Sequence, residues 1–575
     1  MVDARLSDDD AQRIALAESW IAQDPDPETR AELGALIEAG RTGDRAALAQ
    51  LAERFDRRLA FGTAGLRGEI AAGPNRMNRV LVAQAAAGLA AYLLEHAHEG
   101  VTPSVVIGYD GRKNSDVFAR DSAEIMAGAG VRAILLPRLL PTPVLAFAVR
   151  HLDTSAGVMV TASHNPPNDN GYKVYLGGEH GGSQIVAPAD AEIAAHIQRV
   201  ADHMTVPDLP RAEFETAPES VVDSYVRETA NLASNARAAA TSQPSTVYTA
   251  MHGVGWETFS RVIDAAGFAS PAVVDAQIAP DASFPTVSFP NPEEPGAMDL
   301  SFARAREVGA DLVLANDPDA DRLAVAIPDI AEPDGYRRLT GNEVGLLLGW
   351  RAAESAAGQD GGDGTGNGTL ACSIVSSPGL EAVAAAYGLD FQGTLTGFKW
   401  ISRAPGLVFG FEEALGYLVN PGTVRDKDGI SAALAFLDLA TGLAAEGRSV
   451  ADHLDAFVER FGAYASSQIS IRVTDRSRIA TVMRDLRAHP PAALGTLRVE
   501  RIDDLVDGFG GLPPSDVLRI VVEGGSRVMV RPSGTEPKLK IYIDAAATAG
   551  SVAERRSAAA ATVAELEAAL RSLVE

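Results

Sequence analysis

The chain has 575 residues, enough for about three to five domains, with 46% hydrophobic and 22% charged residues, as is ordinary for a globular protein. Its formal net charge of -26 at pH 7 argues against a general binding surface for nucleic acid or for an anionic membrane, where Lys and Arg should dominate. An anionic substrate stays open, but a phosphate site would have to gather its basic groups locally.

A cytoplasmic location is expected from the N-terminal residues, the apolar runs and the cysteine content. The chain begins MVDARLSDDDAQ, without the basic and apolar regions of a secretory signal. The sequence has no uninterrupted apolar run of about 18 residues, so no transmembrane helix is predicted. Cys372 is the one cysteine, so no intrachain disulfide can form, which suits a reducing compartment. Its apolar surroundings, LACSIV, favour a buried small hydrophobe over a reactive thiol.

Three stretches of the chain repeat one pattern: a strand, a small-residue loop, an amphipathic helix closed by glycine, and a second strand. They begin at SVVIGYDGR, TVYTAMHGVGW and LACSIVSSPG. The predicted helix of the first stretch runs from Asp116 to Val131, that of the second ends at Gly267, and that of the third ends at Gly388. Each is followed by an apolar run that ends in a polar loop: GVMVTASHNP, DLVLANDPDADR and LVFGFEEALGY. This alternation predicts parallel or mixed sheets, with ligands bound beyond the carboxyl ends of the strands, where these loops lie.

The remaining regions follow other patterns. The segment VLRIVVEGGSRVMVRPSGTEPKLKIYIDA predicts a hairpin that turns at Gly524–Gly525, within a small α+β domain. The tract from Ala352 to Thr369 predicts a helix end followed by a flexible Gly/Asp-rich loop, to which no function is assigned. The Ala-rich tail after Thr548 predicts a surface helix.

The first polar loop, TASHNPPNDNGYK, contains a candidate nucleophile. Ser163 lies in a polar turn after an apolar strand and can serve as a phosphoryl carrier, although Ser, Asn and Pro also build ordinary turns. His164 would hydrogen-bond a phosphate oxygen or merely fix the turn. Lys173 follows ten residues after Ser163 and can reach the same site.

The second polar loop, DPDADR, carries alternating carboxylates. An extended loop can aim Asp317, Asp319 and Asp321 at one point, and hard oxygen ligands suit Mg²⁺ or Ca²⁺. The loop lacks the glycine and the distal Glu of an EF-hand. A solvated acidic turn is the alternative.

Two further loops suit a phosphorylated sugar. Glu412 and Glu413 end an apolar strand, where carboxylates can accept hydrogen bonds from sugar hydroxyls or simply begin a helix. The segment RPSGTEPK suits a phosphate or forms a plain turn, and its candidate ligands are Arg531, Ser533, Gly534 and Thr535. Together the four loops predict an acceptor serine, a metal, sugar ligands and a phosphate clamp.

With these loops in this order, the sequence resembles the α-D-phosphohexomutase family, which includes phosphoglucomutases and phosphomannomutases, over nearly the whole chain after about Phe55. The combination of TASHNP, DPDADR and RPSGTEP is highly specific. The motifs FGTAGLRG, RMN and FEEALGY look most like the branch with bacterial phosphoglucomutases and eukaryotic phosphopentomutase and glucose-1,6-bisphosphate synthase relatives.

The resemblance implies three related mixed α/β domains plus a smaller C-terminal α+β domain around a central cleft. The expected boundaries are an N-terminal helical extension over 1–54, a phosphoserine domain over 55–215, a metal-binding domain over 216–335, a sugar-binding domain over 336–458 and a phosphate-binding domain over 459–575.

The resemblance also implies roles for individual residues. Ser163 would carry the phosphoryl group as phosphoserine, and with Asp317, Asp319 and Asp321 it would hold Mg²⁺. Lys173 matches the proposed general base, which requires a pKa well below its ordinary value of about 10.4, as neighbouring positive charge would favour. The other expected site residues are Arg67 and Arg322 near the transferring phosphoryl group, Lys399 and Glu412 at the sugar, and Arg531, Ser533, Gly534 and Thr535 at the distal phosphate.

The function implied is interconversion of hexose 1-phosphate and hexose 6-phosphate through a hexose 1,6-bisphosphate, with small-molecule sugar phosphates as the only partners expected. Glucose is the expected sugar, but Ala414 stands where many phosphoglucomutases have a serine, so mannose and a pentose stay open. A phosphopentomutase of the same fold, a Mg²⁺-dependent phosphatase using Ser163, and a catalytically silent sugar-phosphate-binding protein are the alternatives. The sequence does not indicate an oligomeric state.

Overall fold

The computed structural model describes residues 6–62, 65–234, 243–359, 367–472, 476–532 and 538–574. Ser533, Gly534 and Thr535, and most of the Gly/Asp-rich loop, therefore lie outside the described residues. The chain divides into two units. The first comprises 1–240, 244–337 and 422–434, and the second comprises 241–243, 338–421 and 435–575. The 422–434 segment thus belongs to the first unit although the residues on both sides of it belong to the second.

Three helices precede the first strand: α1 (Asp8–Gln23), α2 (Pro27–Arg41) and α3 (Arg45–Phe55). Each begins after a Ser or Asp whose side chain accepts a hydrogen bond from a backbone N–H of the first turn. Their apolar faces, with Trp20, Leu33 and Leu51, are buried in the same core as the following helix and sheet. Burial of these side chains fixes the three helices to the first sheet.

The first sheet contains β1 (Leu66–Glu69), β2 (Ser104–Tyr109), β3 (Arg132–Leu135), β4 (Ala156–Val160), β5 (Asp169–Leu176), β6 (Ser183–Gln184) and β7 (Glu215–Thr216). Its strand order is β1-β5-β4-β2-β3-β7, with β6 paired to β5. The helices are α4 (Arg79–Glu95), α5 (Ser115–Gly128), α6 (Thr142–His151), α7 (Ala189–His203) and α8 (Ser220–Ala230). Strand β4 is buried along its whole length, which explains its unbroken apolar sequence.

The second sheet, also in the first unit, has the order β12-β11-β10-β8-β9. Its strands are β8 (Thr246–Thr249), β9 (Ala272–Val273), β10 (Leu312–Asn316), β11 (Leu323–Pro328) and β12 (Tyr336–Arg338), with helices α9 (Gly255–Ala266) and α10 (Asp299–Val308). Strand β10 is buried and leads directly into the DPDADR loop.

The third sheet lies in the second unit and has the order β14-β13-β15-β16. Its strands are β13 (Thr369–Ser373), β14 (Asp390–Thr394), β15 (Leu407–Glu412) and β16 (Gly416–Leu418). The helices of this part of the chain are α11 (Gly341–Gln359), α12 (Gly379–Ala386), α13 (Phe398–Ile401), α14 (Gly429–Ala445) and α15 (Val450–Phe461). Cys372 in β13 is buried as predicted, and burial raises the pKa of its thiol to about 12.

The fourth sheet is antiparallel, with the order β17-β22-β21-β20-β19-β18. Its strands are β17 (Ala463–Arg472), β18 (Ala493–Leu494), β19 (Leu497–Asp504), β20 (Leu518–Val522), β21 (Arg527–Pro532) and β22 (Lys538–Ala547), with helices α16 (Arg476–Ala488) and α17 (Val552–Val574). The predicted hairpin is confirmed: Gly524 and Gly525 turn between β20 and β21 at φ of 83° and 79°, which glycine adopts without strain. The tail is the predicted helix, α17.

The predicted repeat is confirmed as a repeat of topology. In each of the first three sheets, a strand pairs in parallel with the next strand along the chain, across a helix, and in parallel with a third strand on its other side. The third strand then pairs antiparallel with a fourth: β4 with β5, β10 with β11, and β15 with β16. The chain therefore has three related mixed α/β domains and a smaller C-terminal α+β domain.

Among the described residues, no single helix has the length and apolar composition required to cross a membrane. One bent pair, Gly429–Ala445 with Val450–Phe461 at 92°, meets that test together, by length and composition only.

Candidate active site

The turn after β4 holds Ser163 in an unusual backbone conformation. Its φ is 52°, in the left-handed region that costs a non-glycine residue about 1–3 kcal/mol. Its backbone N–H donates to Thr161 Oγ1 at 2.8 Å. The side chain, 2% exposed, donates from Oγ to Asp317 Oδ2 at 2.8 Å and lies 3.1 Å from His164 Nδ1. The strained turn thus aims the predicted nucleophile at the acidic loop.

The acidic loop between β10 and β11 brings its three carboxylates together, as expected from their alternation. Asp317, Asp319 and Asp321 are at most 1% exposed, and each offers one oxygen within 4.8 Å of the others. Thr142 donates from Oγ1 to Asp319 Oδ2 at 2.6 Å, which ties the loop to α6. The alternative of a solvated acidic turn is wrong, because the loop is buried.

The positive groups around this triad do not fully balance its negative charge. Burial, Asp319 and Asp321 together raise the pKa of Asp317 well above its ordinary value. Burial also acts to raise the pKa of Asp321, but Lys173 and Lys427 more than offset it, so that this pKa is lowered. The two ammonium groups therefore stabilise only part of the negative charge.

A divalent cation fits the donor set. Within the described part of the chain, Asp319 Oδ1 and Asp321 Oδ1 are buried and accept no hydrogen bond. A buried carboxylate oxygen without a partner is costly, and hard oxygen donors are the ligands that Mg²⁺ prefers. The triad can hold such an ion beside Ser163 Oγ.

Lys173 lies between two of the carboxylates. Its Nζ donates to Asp319 Oδ2 at 2.7 Å and to Asp321 Oδ2 at 2.8 Å. Burial alone would lower the pKa of Lys173, but these two carboxylates more than offset it, so the pKa is raised. The lowered pKa expected for a general base is therefore not found, because the carboxylates that contact Lys173 outweigh burial and the positive charges of Lys427 and Arg67.

Lys427, in the 422–434 segment, reaches the same loop and was not predicted from the sequence. Its Nζ lies 3.3 Å from Asp321 Oδ2. Its neighbour Asp426 accepts from Tyr175 Oη at 2.8 Å and from Gln184 Nε2 at 2.7 Å. The charged letters RDKDG between two apolar stretches were the available signal, because a buried charged run needs partners.

Asp428, which follows Lys427 in the RDKDG run, is also bonded within the first unit. Tyr225 Oη donates its one proton between the two carboxylate oxygens, each at 3.0 Å, and Oδ1 also accepts from the N–H groups of Ile430 and Ser431 in the first turn of α14. Lys427 is therefore flanked by two buried carboxylates that anchor the 422–434 segment to α8 and β5 of the first unit.

His164, Arg67 and Arg322 lie around Ser163 and the acidic loop. Burial, and then Arg322 and Arg67, lower the pKa of His164 well below its ordinary value, so its ring is neutral. Arg67 donates from Nη1 to Asn165 Oδ1 at 3.1 Å. Arg322 donates its backbone N–H to Asp317 Oδ1 at 3.0 Å, and its Nε lies 3.9 Å from Asp321 Oδ1. The first unit thus brings together all eight of the site residues predicted for it: Arg67, Ser163, His164, Lys173, Asp317, Asp319, Asp321 and Arg322.

Arg112 also contacts the Ser163 turn and was not singled out from the sequence. Its guanidinium donates to backbone carbonyls of the 163–169 loop, and the side chain is 3% exposed. The signal was the DGR that follows β2, since the carboxyl end of β2 lies beside that of β4.

The second unit contains the predicted sugar loop. Glu412 ends β15, and Glu413 follows it. Glu413 Oε2 accepts from Ser376 Oγ at 2.9 Å and from Ser373 Oγ at 3.1 Å, while its backbone N–H donates to Ser376 Oγ at 3.0 Å. Glu413 therefore fixes the loop that carries Glu412.

The candidate phosphate residues are also in this unit. Arg531 lies in β21 and donates from Nη1 to Thr396 Oγ1. Lys399 lies in α13, three residues after Thr396, with its Nζ 6.0 Å from the ring centroid of Trp400. Arg531 and the TGFKW segment therefore form one basic region of the second unit.

Family models match the chain in four consecutive parts. They are the α/β/α domains I, II and III of phosphoglucomutase/phosphomannomutase over 58–204, 223–330 and 340–461, and the C-terminal domain over 469–562. A "Probable phosphomannomutase" of Haemophilus influenzae is 55% identical over 470 residues, covering 82% of this chain and 93% of that protein. The chain belongs to the phosphoglucomutase/phosphomannomutase family.

Other members of the family carry different sugar names. A "Phosphopentomutase" of Mus musculus is 34% identical over 589 residues, covering 96% of this chain and 92% of that protein. A "Phosphoglucomutase" of Staphylococcus aureus is 32% identical over 521 residues, covering 85% and 90%. All three relatives are phosphosugar mutases, so this chain is an isomerase that transfers a phosphoryl group within a sugar phosphate.

Solved structures share the fold. A phosphoglucomutase/phosphomannomutase family protein from Burkholderia thailandensis is similar with a TM-score of 0.67 at 18% identity, covering 90% of this chain and 98% of that chain. The phosphoglucomutase parafusin from Paramecium, in its open form, is similar with a TM-score of 0.65 at 19% identity, covering 89% and 95%. These likenesses support the fold of this family member.

Proposed function

We propose that this mutase interconverts hexose 1-phosphate and hexose 6-phosphate through a phosphoserine at Ser163 and a hexose 1,6-bisphosphate. The observation that carries the proposal is the 2.8 Å contact between Ser163 Oγ and Asp317 Oδ2, inside a buried cluster of acidic and basic groups. A serine in that position can accept a phosphoryl group and return it to the other end of the sugar.

The metal in this proposal is Mg²⁺, held by the phosphoserine with Asp317, Asp319 and Asp321. When bound, it supplies positive charge at the oxygens of the transferring phosphoryl group, which is the main requirement of phosphoryl transfer. Two unbonded carboxylate oxygens in the triad support this assignment.

The basic groups of the first unit supply further charge. Arg67 and Arg322 would bind the equatorial oxygens of the phosphoryl group, because guanidinium groups match phosphate geometry. Neutral His164, 3.1 Å from Ser163 Oγ, would hydrogen-bond one of these oxygens. The assignment of Lys173 as general base stays a prediction.

In the second unit, we assign Glu412 and Lys399 to the sugar and Arg531, Ser533, Gly534 and Thr535 to the phosphate that is not reacting. A distal grip of this kind would let a monophosphate bind in either orientation, and remote binding energy would help to hold the reacting end in place. We propose glucose as the preferred hexose, with mannose also accepted, and a cytoplasmic location, which suits a chain with one cysteine and hence no intrachain disulfide.

The test is to charge purified protein with glucose 1,6-bisphosphate and locate the phosphoryl group by peptide mass spectrometry. One phosphoryl group should appear on the peptide that contains Ser163, and Ser163→Ala should lose both the group and turnover. The matched control is Ser122→Ala, which removes another buried serine hydroxyl of the first unit, bonded to Phe118 O at 2.7 Å. Wild-type turnover in Ser163→Ala would refute the proposal.

Measurement of the reaction products of the wild-type enzyme distinguishes a mutase from a phosphatase. A mutase should convert glucose 1-phosphate to glucose 6-phosphate with negligible inorganic phosphate, whereas a phosphatase should release one phosphate per sugar consumed. Ribose 1-phosphate and mannose 1-phosphate, assayed in parallel, test the choice of sugar.

A further inference from the structure

The conformation of Ser163 needs an external restraint. A serine prefers negative φ, yet this one is held at 52° and its hydroxyl is directed at Asp317. If the turn relaxed to a commoner conformation, Oγ would move away from the acidic loop. Thr161 Oγ1 accepts from the Ser163 N–H, but the carbonyl side of the turn needs a further backbone contact, because Oγ is itself the reacting atom.

Arg112 makes that contact. Its Nη2 donates to Ser163 O at 2.7 Å and to Asn165 O at 2.6 Å, and its Nη1 donates to Pro166 O at 2.8 Å and to Asp169 O at 3.1 Å. One planar group thus bonds four carbonyls that all belong to the 163–169 loop. A guanidinium can do this because its donors have a fixed planar arrangement, which an ammonium lacks.

The guanidinium is itself held in place on other sides. Its Nε lies 3.6 Å from Asp110 Oδ2, and the Phe284 ring centroid lies 5.0 Å from its Cζ. Arg112 also donates its backbone N–H to Asp110 Oδ1 at 3.0 Å. A buried guanidinium could be satisfied by acceptors from any part of the chain. Here every hydrogen bond of the guanidinium goes to the loop that carries Ser163.

We propose that Arg112 is the positioning residue of the phosphoserine: it holds the 163–169 loop so that Ser163 Oγ keeps its direction toward the acidic triad during phosphoryl transfer. This inference rests on the proposed role of Ser163. Arg112 does not touch the reacting atoms, so its loss should slow the transfer step without weakening substrate binding.

The experiment compares wild type, Arg112→Lys and the control Arg54→Lys, each charged with glucose 1,6-bisphosphate. Arg54 is a buried arginine of the same unit, 8% exposed, which bonds Glu32 and Ala72 O away from the Ser163 turn. Single-turnover transfer to glucose 1-phosphate gives the limiting rate and the half-saturating concentration. The ³¹P NMR signal of the phosphoserine reports its conformation.

Arg112→Lys should lower the limiting rate on the order of 10²-fold, since small misplacements of reacting groups cost about that much. Its half-saturating concentration should stay within about twofold of wild type, because only the transfer step is affected. The ³¹P signal should shift or broaden, while Arg54→Lys keeps the wild-type rate and signal. A wild-type rate and signal in folded Arg112→Lys would overturn the inference.

Two further results separate the possible failures. If wild type acquires no phosphoserine on charging, the proposed function falls, and this inference with it. If Arg112→Lys does not fold, Phe284→Leu replaces it, because it removes the ring against the guanidinium and leaves the four donors intact. A several-fold slower transfer at unchanged half-saturation then supports the inference, and an unchanged rate and signal overturns it.

Discussion

Asp317→Asn should stabilise the metal-free enzyme while strongly lowering its turnover. Three buried carboxylates have oxygens within 4.8 Å of one another, and Asp317 is the one of the three whose pKa is raised, by burial and by its two neighbours. At an effective dielectric constant of about 20, each such pair repels by about 3 kcal/mol. Asn keeps the shape and an acceptor for the Arg322 N–H, but it removes the charge from both pairs involving Asp317.

In wild type, attraction between Asp317 and the nearby cations offsets most of this repulsion. We therefore expect a net gain of about 1–3 kcal/mol in the free energy of unfolding of the first unit. In EDTA at pH 8, the melting temperature of Asp317→Asn should therefore exceed that of wild type by about 2–5 °C. Saturating Mg²⁺ should reverse the order, because binding at about 100 times the Kd adds about 2.7 kcal/mol to the wild type alone. Turnover of the variant should fall on the order of 10²-fold or more.

The assay is differential scanning calorimetry in EDTA and in Mg²⁺. The matched control is Asp426→Asn, a buried aspartate of the same unit that bonds Tyr175 and Gln184 instead of the triad. This control should be destabilised equally in both buffers. If Asp317→Asn is less stable than wild type in EDTA, and Mg²⁺ does not raise the melting temperature of wild type, the triad is an ion-pair network and the reasoning is wrong.

Three other predictions concern the 422–434 segment and the sugar loop. Burial raises the pKa of Asp428 to about 6, so its ionisation costs stability as the pH rises from about 4, the ordinary pKa, to about 6. The advantage of Asp428→Asn in urea unfolding should therefore be absent at pH 4, grow up to pH 6 and level off at about 3 kcal/mol above it. Glu413→Ala should raise KM for glucose and mannose phosphates alike, because it releases the loop that carries Glu412, whereas an effect on one sugar alone would make Glu413 a direct ligand. Because Ala414 lacks a hydroxyl, worth about 0.5–1.5 kcal/mol, kcat/KM should favour glucose over mannose by only about threefold to tenfold; a preference above about a thousandfold would show that another group selects the sugar.

Local sequence patterns were sufficient for the architecture. The three repeated units and the hairpin were predictable because apolar runs, glycine turns and helix periodicity are properties of neighbouring residues. The acidic loop was also predictable, since Asp317, Asp319 and Asp321 alternate directly after a buried strand. For the same reason the strand-end position of Ser163 indicated its proximity to that loop.

Contacts between distant parts of the chain were not predictable. Arg112 bonds carbonyls more than fifty residues away. Because every residue has a backbone carbonyl, the sequence does not indicate which ones a side chain will bind. Lys427 reaches Asp321 only because the 422–434 segment joins the first unit. The pKa of Lys173 depends on which charges are nearest, and two carboxylates in direct contact outweigh burial and the positive charges of Lys427 and Arg67.

The membership of the 422–434 segment has a consequence for how this protein can be divided. A fragment ending near Arg337 would leave the buried hydroxyls of Tyr175 and Tyr225 without their carboxylates, and Asp321 without one of its two ammonium contacts. A chimera that exchanges residues 338–458 as one continuous stretch would place another protein's version of this segment in the recipient's first unit. Recombination between family members should therefore succeed only when the breakpoints keep this short segment with the residues it contacts, although the two are far apart in the sequence.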